Sequence, residues 1–123
     1  MRSRFAAQEG FTLIELLVVI VIMGVLLAIA VPSYLGFRTR AQTAGAESNV
    51  RAAVPSAEAF YGDNSTYAGM DAAKLKLIDT GISSFISVKA GATDTAYCLD
   101  YAYAGNLAHF SGPGGSVTSG ACP

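Results

Sequence analysis

The 123-residue sequence predicts an α+β fold, in which a long N-terminal helix with a hydrophobic first half packs on a small antiparallel sheet. Three observations predict it. Leu16–Val31 is an unbroken apolar run with no charged side chain. Val50, Ala53, Val54, Ala57, Phe60 and Tyr61 recur at three- and four-residue intervals, which marks one buried face of a helix. Thr95–Tyr103 alternates, with Ala96, Cys98, Asp100 and Ala102 on one side and Tyr97, Leu99, Tyr101 and Tyr103 on the other, the two-residue period of a half-buried strand.

In chain order, residues 1–10 read as a leader. They are short, carry Arg2 and Arg4 near the start, and have no apolar core of their own. From Phe11 the apolar segment continues for roughly 21 residues, about 31 Å at about 1.5 Å per helical residue. That length crosses a bilayer core of about 30 Å. One carboxylate, Glu15, lies just inside the segment, and burying it without a partner costs on the order of 3 kcal/mol. Gly24 and Pro32 are the irregular positions of residues 11–32. Pro32 lacks an N–H and crowds the carbonyl of Ala28, a cost of about 3 kcal/mol inside a helix. Gly24 costs about 1 kcal/mol relative to alanine. The expectation is therefore a helix that is weakest over Gly24–Val31, with Gly24 and Pro32 as its helix-break positions and a gentle kink there. Charge does not orient the span, because Arg2 and Arg4 before it balance Arg38 and Arg40 after it.

Residues 33–61 continue as an amphipathic helix. Gly36, Ala41, Ala44, Gly45 and Ala46 crowd its first half and permit close helix approach. Glu47 and Arg51 are placed for an i,i+4 ion pair. Pro55 is expected to bend this helix or end it a turn early. Residues 62–123 form the globular remainder. Gly62 and Gly69 bracket a loop, and Ala72–Ile78 reads as a short helix. Phe85–Val88, Thr95–Tyr103, Leu107–Phe110 and Ser116–Thr118 read as strands, with turns at Gly105-Asn106 and Gly112-Pro113-Gly114-Gly115. A meander of these strands can cover the apolar face near Val50–Phe60. A head of this size has a marginal core. The two cysteines, Cys98 and Cys122, read as one disulfide if this domain is exported to an oxidising compartment.

Gly10-Phe11-Thr12-Leu13-Ile14-Glu15, followed by the apolar run, resembles the N-terminal signature of type IV pilins and the related pseudopilins. The signature covers about a fifth of the chain. The resemblance implies the type IV pilin fold, cleavage between Gly10 and Phe11 by a membrane prepilin peptidase, and N-methylation of Phe11. It implies an N-terminus in the cytoplasm, a single-pass precursor in the inner membrane, and polymerisation of identical subunits by a pilus assembly machinery into an extracellular pilus. It further implies that Gly24–Val31 unwinds when subunits pack. Glycine suits the cleavage position because it presents no side chain to the protease. Glu9 departs from leaders that carry a basic residue before the glycine. Glu15 acquires a role through processing. Before cleavage the Phe11 nitrogen is a neutral amide, and afterwards it is a cationic amine that Glu15 of a neighbouring subunit can meet.

Other classes carry less. Ala28-Ile29-Ala30 before Val31 matches a signal-peptidase site and predicts a soluble secreted domain, but a carboxylate at Glu15 has no use in an export signal. A pseudopilin of a type II secretion or competence system is the nearer alternative. The formal net charge of −1, or −2 once residues 1–10 are removed, does not call for nucleic acid. Arg38, Arg40, Arg51, Lys74, Lys76 and Lys89 do not cluster, so DNA uptake or surface binding through them would be weak and salt-dependent. His109 is the only histidine and reads as structural or exposed. The serines and threonines lack a nucleophile context. Asp94 and Asp100 flank Cys98 but supply too few oxygens for calcium. No catalysis, cofactor or metal is expected. Tyr34, Phe37, Phe60, Tyr61 and Tyr67 read as packing residues rather than a conduction path. Asn64-Ser65-Thr66 matches a glycosylation sequon, a pattern short enough to recur by chance.

Overall fold

A computed structural model of the chain describes residues 10–123. Arg2, Arg4 and Glu9, in the stretch that reads as a leader, lie outside the described residues. The chain divides into two compact units between Arg38 and Thr39. Helix α1 (Leu13–Asn64) is followed by α2 (Ala72–Ile78) and strands β1 (Ile86–Val88), β2 (Tyr97–Tyr103), β3 (Asn106–Gly112) and β4 (Val117–Ser119). The four strands form an antiparallel meander in the order β1-β2-β3-β4.

In the N-terminal unit the helix is apolar on every side and entirely exposed. An 18-residue window reaches a mean hydropathy of 3.1, with none of it buried. Such a surface is stable only in a lipid or protein surround. Helical structure runs through both Gly24 and Pro32 in the single chain. A missing N–H removes one bond from a ladder of dozens, and the flanking leucines, isoleucines and alanines hold the remaining turns. The helix does not stop at Pro55 either, and it continues to Asn64. Ala53, Ser56, Ala57 and Phe60 are buried on either side of that proline, so packing keeps the backbone helical where propensity alone would end it.

The second unit, residues 39–123, contains the core. Ala46, Val50, Ala53, Ala57 and Phe60 of α1 are buried against Tyr97, Leu99, Tyr101, Ala108 and Phe110 of the sheet, with Tyr67, Met70, Leu75, Ile82 and Ile86 completing the cluster. Two expected face residues fall at its margin, since Val54 is only partly buried and Tyr61 remains 39% exposed. In β2 the alternation holds. Tyr97, Leu99 and Tyr101 point inward, while Tyr103, at the end of the strand, is exposed. β2 begins two residues later than expected, because Thr93–Ala96 closes a local turn with Thr93 N–H bonded to the Ala96 carbonyl at 2.8 Å. The β2–β3 connection is also shifted by one residue. Ala104 and Gly105, not Gly105 and Asn106, are the central turn residues, with φ of 50° and 79°. A two-residue hairpin needs positive φ at both positions, and Asn106 already pairs with Tyr103. α2 is capped by Asp71, whose carboxylate accepts the Lys74 N–H at 2.8 Å. Glu47 and Arg51 form no ion pair, which corrects the expected i,i+4 contact; among the described residues the pair within reach is Asp71–Lys74 at 3.8 Å.

Tyr97 faces Gly112 across the β2–β3 ladder. A Cβ at Gly112 would collide with the phenol end of Tyr97, so this glycine is required by the close approach of an aromatic side chain and not by backbone conformation. Gly112→Ala is expected to destabilise the globular unit by about 1–3 kcal/mol, read as a lower urea midpoint. The same substitution at Gly62, where nothing approaches the added Cβ, provides the control.

Candidate assembly site

Gly10, Phe11 and Thr12 precede α1, and Phe11 is 91% exposed. The Gly10–Phe11 peptide thus lies outside the helix. Thr12 and Glu15 then form a reciprocal cap. Thr12 N–H donates to Glu15 Oε2 at 3.0 Å, and Glu15 N–H donates to Thr12 Oγ1 at 3.2 Å. This is a capping box, which satisfies two of the orphan N–H groups of the first turn. The carboxylate also faces the positive end of the helix dipole, worth a few tenths of a kcal/mol to about 1 kcal/mol. Glu15 Oε1 accepts no hydrogen bond among the described residues. The carboxylate is therefore held by one oxygen and open at the other, next to exposed Phe11, Leu16 and Val19. Phe11 and Glu15 are thus joined by a third residue, Thr12, that the apolar run and the charge alone do not mark. The signal that marks Thr12 is T-x-x-E directly before an apolar run.

The disulfide is formed. Cys98 and Cys122 are joined with Cα atoms 6.1 Å apart. The C-terminal segment is also tied by hydrogen bonds across the outer face of the sheet. Gly120 N–H donates to the Leu107 carbonyl at 2.9 Å, and Cys122 N–H donates to Asp100 Oδ1 at 2.6 Å. His109 Nδ1 donates to the Gly120 carbonyl at 3.0 Å, which leaves Nε2 to accept from Thr118 Oγ1 at 3.0 Å. His109 is thus a structural residue on β3. The lysines are engaged locally: Lys76 Nζ donates to Ser84 Oγ at 2.7 Å, and Lys89 Nζ to the Cys122 carbonyl at 3.5 Å. Asn64 Nδ2 is committed to the Phe60 carbonyl at 2.9 Å, so the nitrogen of the sequon is occupied by the end of α1.

One polar constellation was not anticipated. Glu58 Oε2 accepts the Tyr67 hydroxyl at 2.8 Å, and Oε1 accepts the Tyr97 hydroxyl at 2.7 Å. One carboxylate thereby joins α1, the loop after it and β2. The rings stack in sequence, Tyr61 on Tyr67 at 4.6 Å and Tyr67 on Tyr97 at 4.5 Å. Burial first, and then the hydrogen bond and charge of Glu58, push the Tyr67 hydroxyl up to about 12 and raise Tyr97 further. Because the folded value lies above the unfolded value of about 10, this contribution to stability is complete below pH 10 and is lost as pH rises through 12. Denaturation midpoints measured from pH 9 to 12.5 are expected to fall across that window, and Tyr67→Phe is expected to flatten the fall.

A capped helix, long and apolar enough to cross a membrane and with a carboxylate in its first turn, leads into a disulfide-bonded helix-on-sheet unit. Residues 5–31 match the family described as the prokaryotic N-terminal methylation motif. The chain is 35% identical over 109 residues to the type IV wide pilus major component PilA4 of Thermus thermophilus, covering 84% of this chain and 79% of that protein. It is 38% identical over 66 residues to the type IV major pilin protein PilA of Myxococcus xanthus, 53% of this chain and 30% of that relative. It is 39% identical over 64 residues to the type II secretion system core protein G of Klebsiella michiganensis, 52% of this chain and 45% of that protein. The Myxococcus match thus spans about a third of that relative's length, whereas the Thermus match spans most of both proteins. No solved structure matches the chain. The chain belongs to the type IV pilin family.

Proposed function

We propose that this chain is the structural subunit of a type IV pilus. In this reading a prepilin peptidase cuts between Gly10 and Phe11, Phe11 is N-methylated, and the apolar part of α1 holds the subunit in the inner membrane. Identical subunits then polymerise into an extracellular filament that serves adhesion, twitching, DNA uptake or secretion. No enzymatic step, cofactor or metal is part of it. The observation that carries the reading is Glu15, with one carboxylate oxygen held by its own helix cap and the other open on a wholly exposed apolar helix. Cleavage converts the Phe11 amide into a cation, and methylation preserves that charge. A processed neighbour can then place its terminus on Glu15 Oε1, so processing licenses assembly. The helix is continuous at Gly24 and Pro32 in the single chain. In this reading Gly24–Val31 unwinds only on packing into the filament, where new helix contacts offset the lost hydrogen bonds.

Sheared surface filaments, sequenced from the N-terminus, test the proposal. N-methylated Phe11 is expected as the first residue. A product starting at Val31 would indicate a secreted soluble domain, and the pilus reading would fail. The similarity to a type II secretion core protein favours a second reading, a pseudopilus subunit. That reading predicts short periplasmic filaments and little surface display.

A further inference from the structure

Two unpartnered features sit at opposite edges of the sheet in the second unit. At the β1 edge, α2 packs against β1 and ends in Leu77-Ile78, followed by Asp79. Leu77 is 85% exposed and Ile78 41%, which makes Leu77 the most exposed large apolar residue of this unit. At the β4 edge, a groove of about 450 Å³ runs between α1 and the β3–β4 connection, with Val54, Pro55, Phe110 and Val117 as its apolar walls. Arg51 stands at its lip. Arg51 makes no ion pair with Glu47 or any other carboxylate among the described residues. Asp79 Oδ1 accepts the Gly81 N–H at 2.8 Å, and Oδ2 accepts no hydrogen bond among the described residues.

From this arrangement we infer that the Leu77-Ile78-Asp79 knob of one copy docks in the Arg51–Val54–Val117 groove of the next. The occupant is a second copy of this chain for three physical reasons. The knob is apolar with a carboxylate beside it, and the groove is apolar with an unpaired guanidinium beside it. The two lie on opposite edges of one sheet, so a copy presents one to each side and cannot satisfy both with a single partner. A contact between two different surfaces of identical chains repeats along a ring or helix, which is the geometry a filament needs. Lys74 and Lys76 on α2 do not compete for Asp79, because they are held by Asp71 and Ser84. The inference rests on the homopolymer reading and adds a head-to-head contact to the one made by α1.

The test is carried out on the full chain in the producing cell. A photo-crosslinking residue at position 77 is expected to yield a ladder of oligomers, with adducts mapped to residues 51–55 or 110–117. Leu77→Asp and Arg51→Glu are each expected to lower sheared filament yield about tenfold, the scale of losing one buried leucine or one desolvated pair per contact. Arg51→Glu combined with Asp79→Arg is expected to return the yield to within about twofold of the parent. Both positions are exposed, and formation of the Cys98–Cys122 disulfide in each variant reports that the head has folded. Filaments that assemble normally with either single variant, or adducts that map elsewhere, overturn this contact and leave the pilus reading intact. A parent chain that forms no filaments defeats the pilus reading and this contact together.

Discussion

Glu15→Gln and Glu15→Leu are both expected to abolish filaments while leaving a membrane-inserted, processed chain, and the comparison between them separates two roles of one side chain. Glutamine can still accept the Thr12 N–H, so it preserves the capping box and removes only the charge. Leucine removes both. Loss of the cap costs about 1 kcal/mol of local helix stability. Loss of a charge pair at about 4 Å costs about 4 kcal/mol at an effective dielectric of 20, roughly a thousandfold per contact. The charge therefore dominates, and the two variants are expected to fail alike. Immunoblots of sheared filaments against total membranes provide the measurement. If Glu15→Gln assembled at parental levels, the carboxylate would matter only as a helix cap, and the coupling of cleavage to assembly would be lost. Thr12→Val is the complementary variant. It removes the hydroxyl that accepts the Glu15 N–H but keeps the charge, and is expected to lower yield only modestly.

The second large effect is expected at the disulfide. Replacing Cys98 and Cys122 together by serine opens a loop with a sequence separation of 24. The loss is expected to be about 3 kcal/mol, a large share of the stability of so small a head. The far-UV spectrum in detergent is expected to persist, because the core of α1, β2 and β3 does not include either cysteine. The urea midpoint is expected to fall, and the C-terminal residues to become sensitive to carboxypeptidase. The bonds from Cys122 N–H to Asp100, from Gly120 N–H to the Leu107 carbonyl and from His109 to the Gly120 carbonyl would then be the principal remaining ties of that segment. An unchanged midpoint would mean that those hydrogen bonds already hold the terminus and that the covalent link adds little.

Much of the candidate assembly site is legible because its signals are local. Phe11 and Glu15 stand out as an aromatic residue and a carboxylate at the entrance to an apolar run. Thr12 is equally legible, since a capping box is a four-residue pattern. The readings that failed set propensity against context. The helix does not end a turn early at Pro55, because buried neighbours on both sides carry it past the proline. Glu47 and Arg51 have favourable spacing but form no pair. An exposed i,i+4 contact is worth only a few tenths of a kcal/mol, too little to fix two long side chains.

What the sequence alone determined is whatever repeats over a few residues: the exposed apolar helix, the buried face of α1, the alternation of Tyr97, Leu99 and Tyr101, and the partnership of two cysteines. Backbone geometry imposes those periods wherever the chain lies. Only the tertiary structure decided that Glu58 joins Tyr67 and Tyr97, that Gly112 lies beneath the Tyr97 ring, that Asp100 holds the C-terminus, and that knob and groove occupy opposite sheet edges. Each of these depends on which residues the strand register and the packing of α1 bring within a few ångströms. That register is set by the burial of many side chains at once, and no short stretch of the chain encodes it.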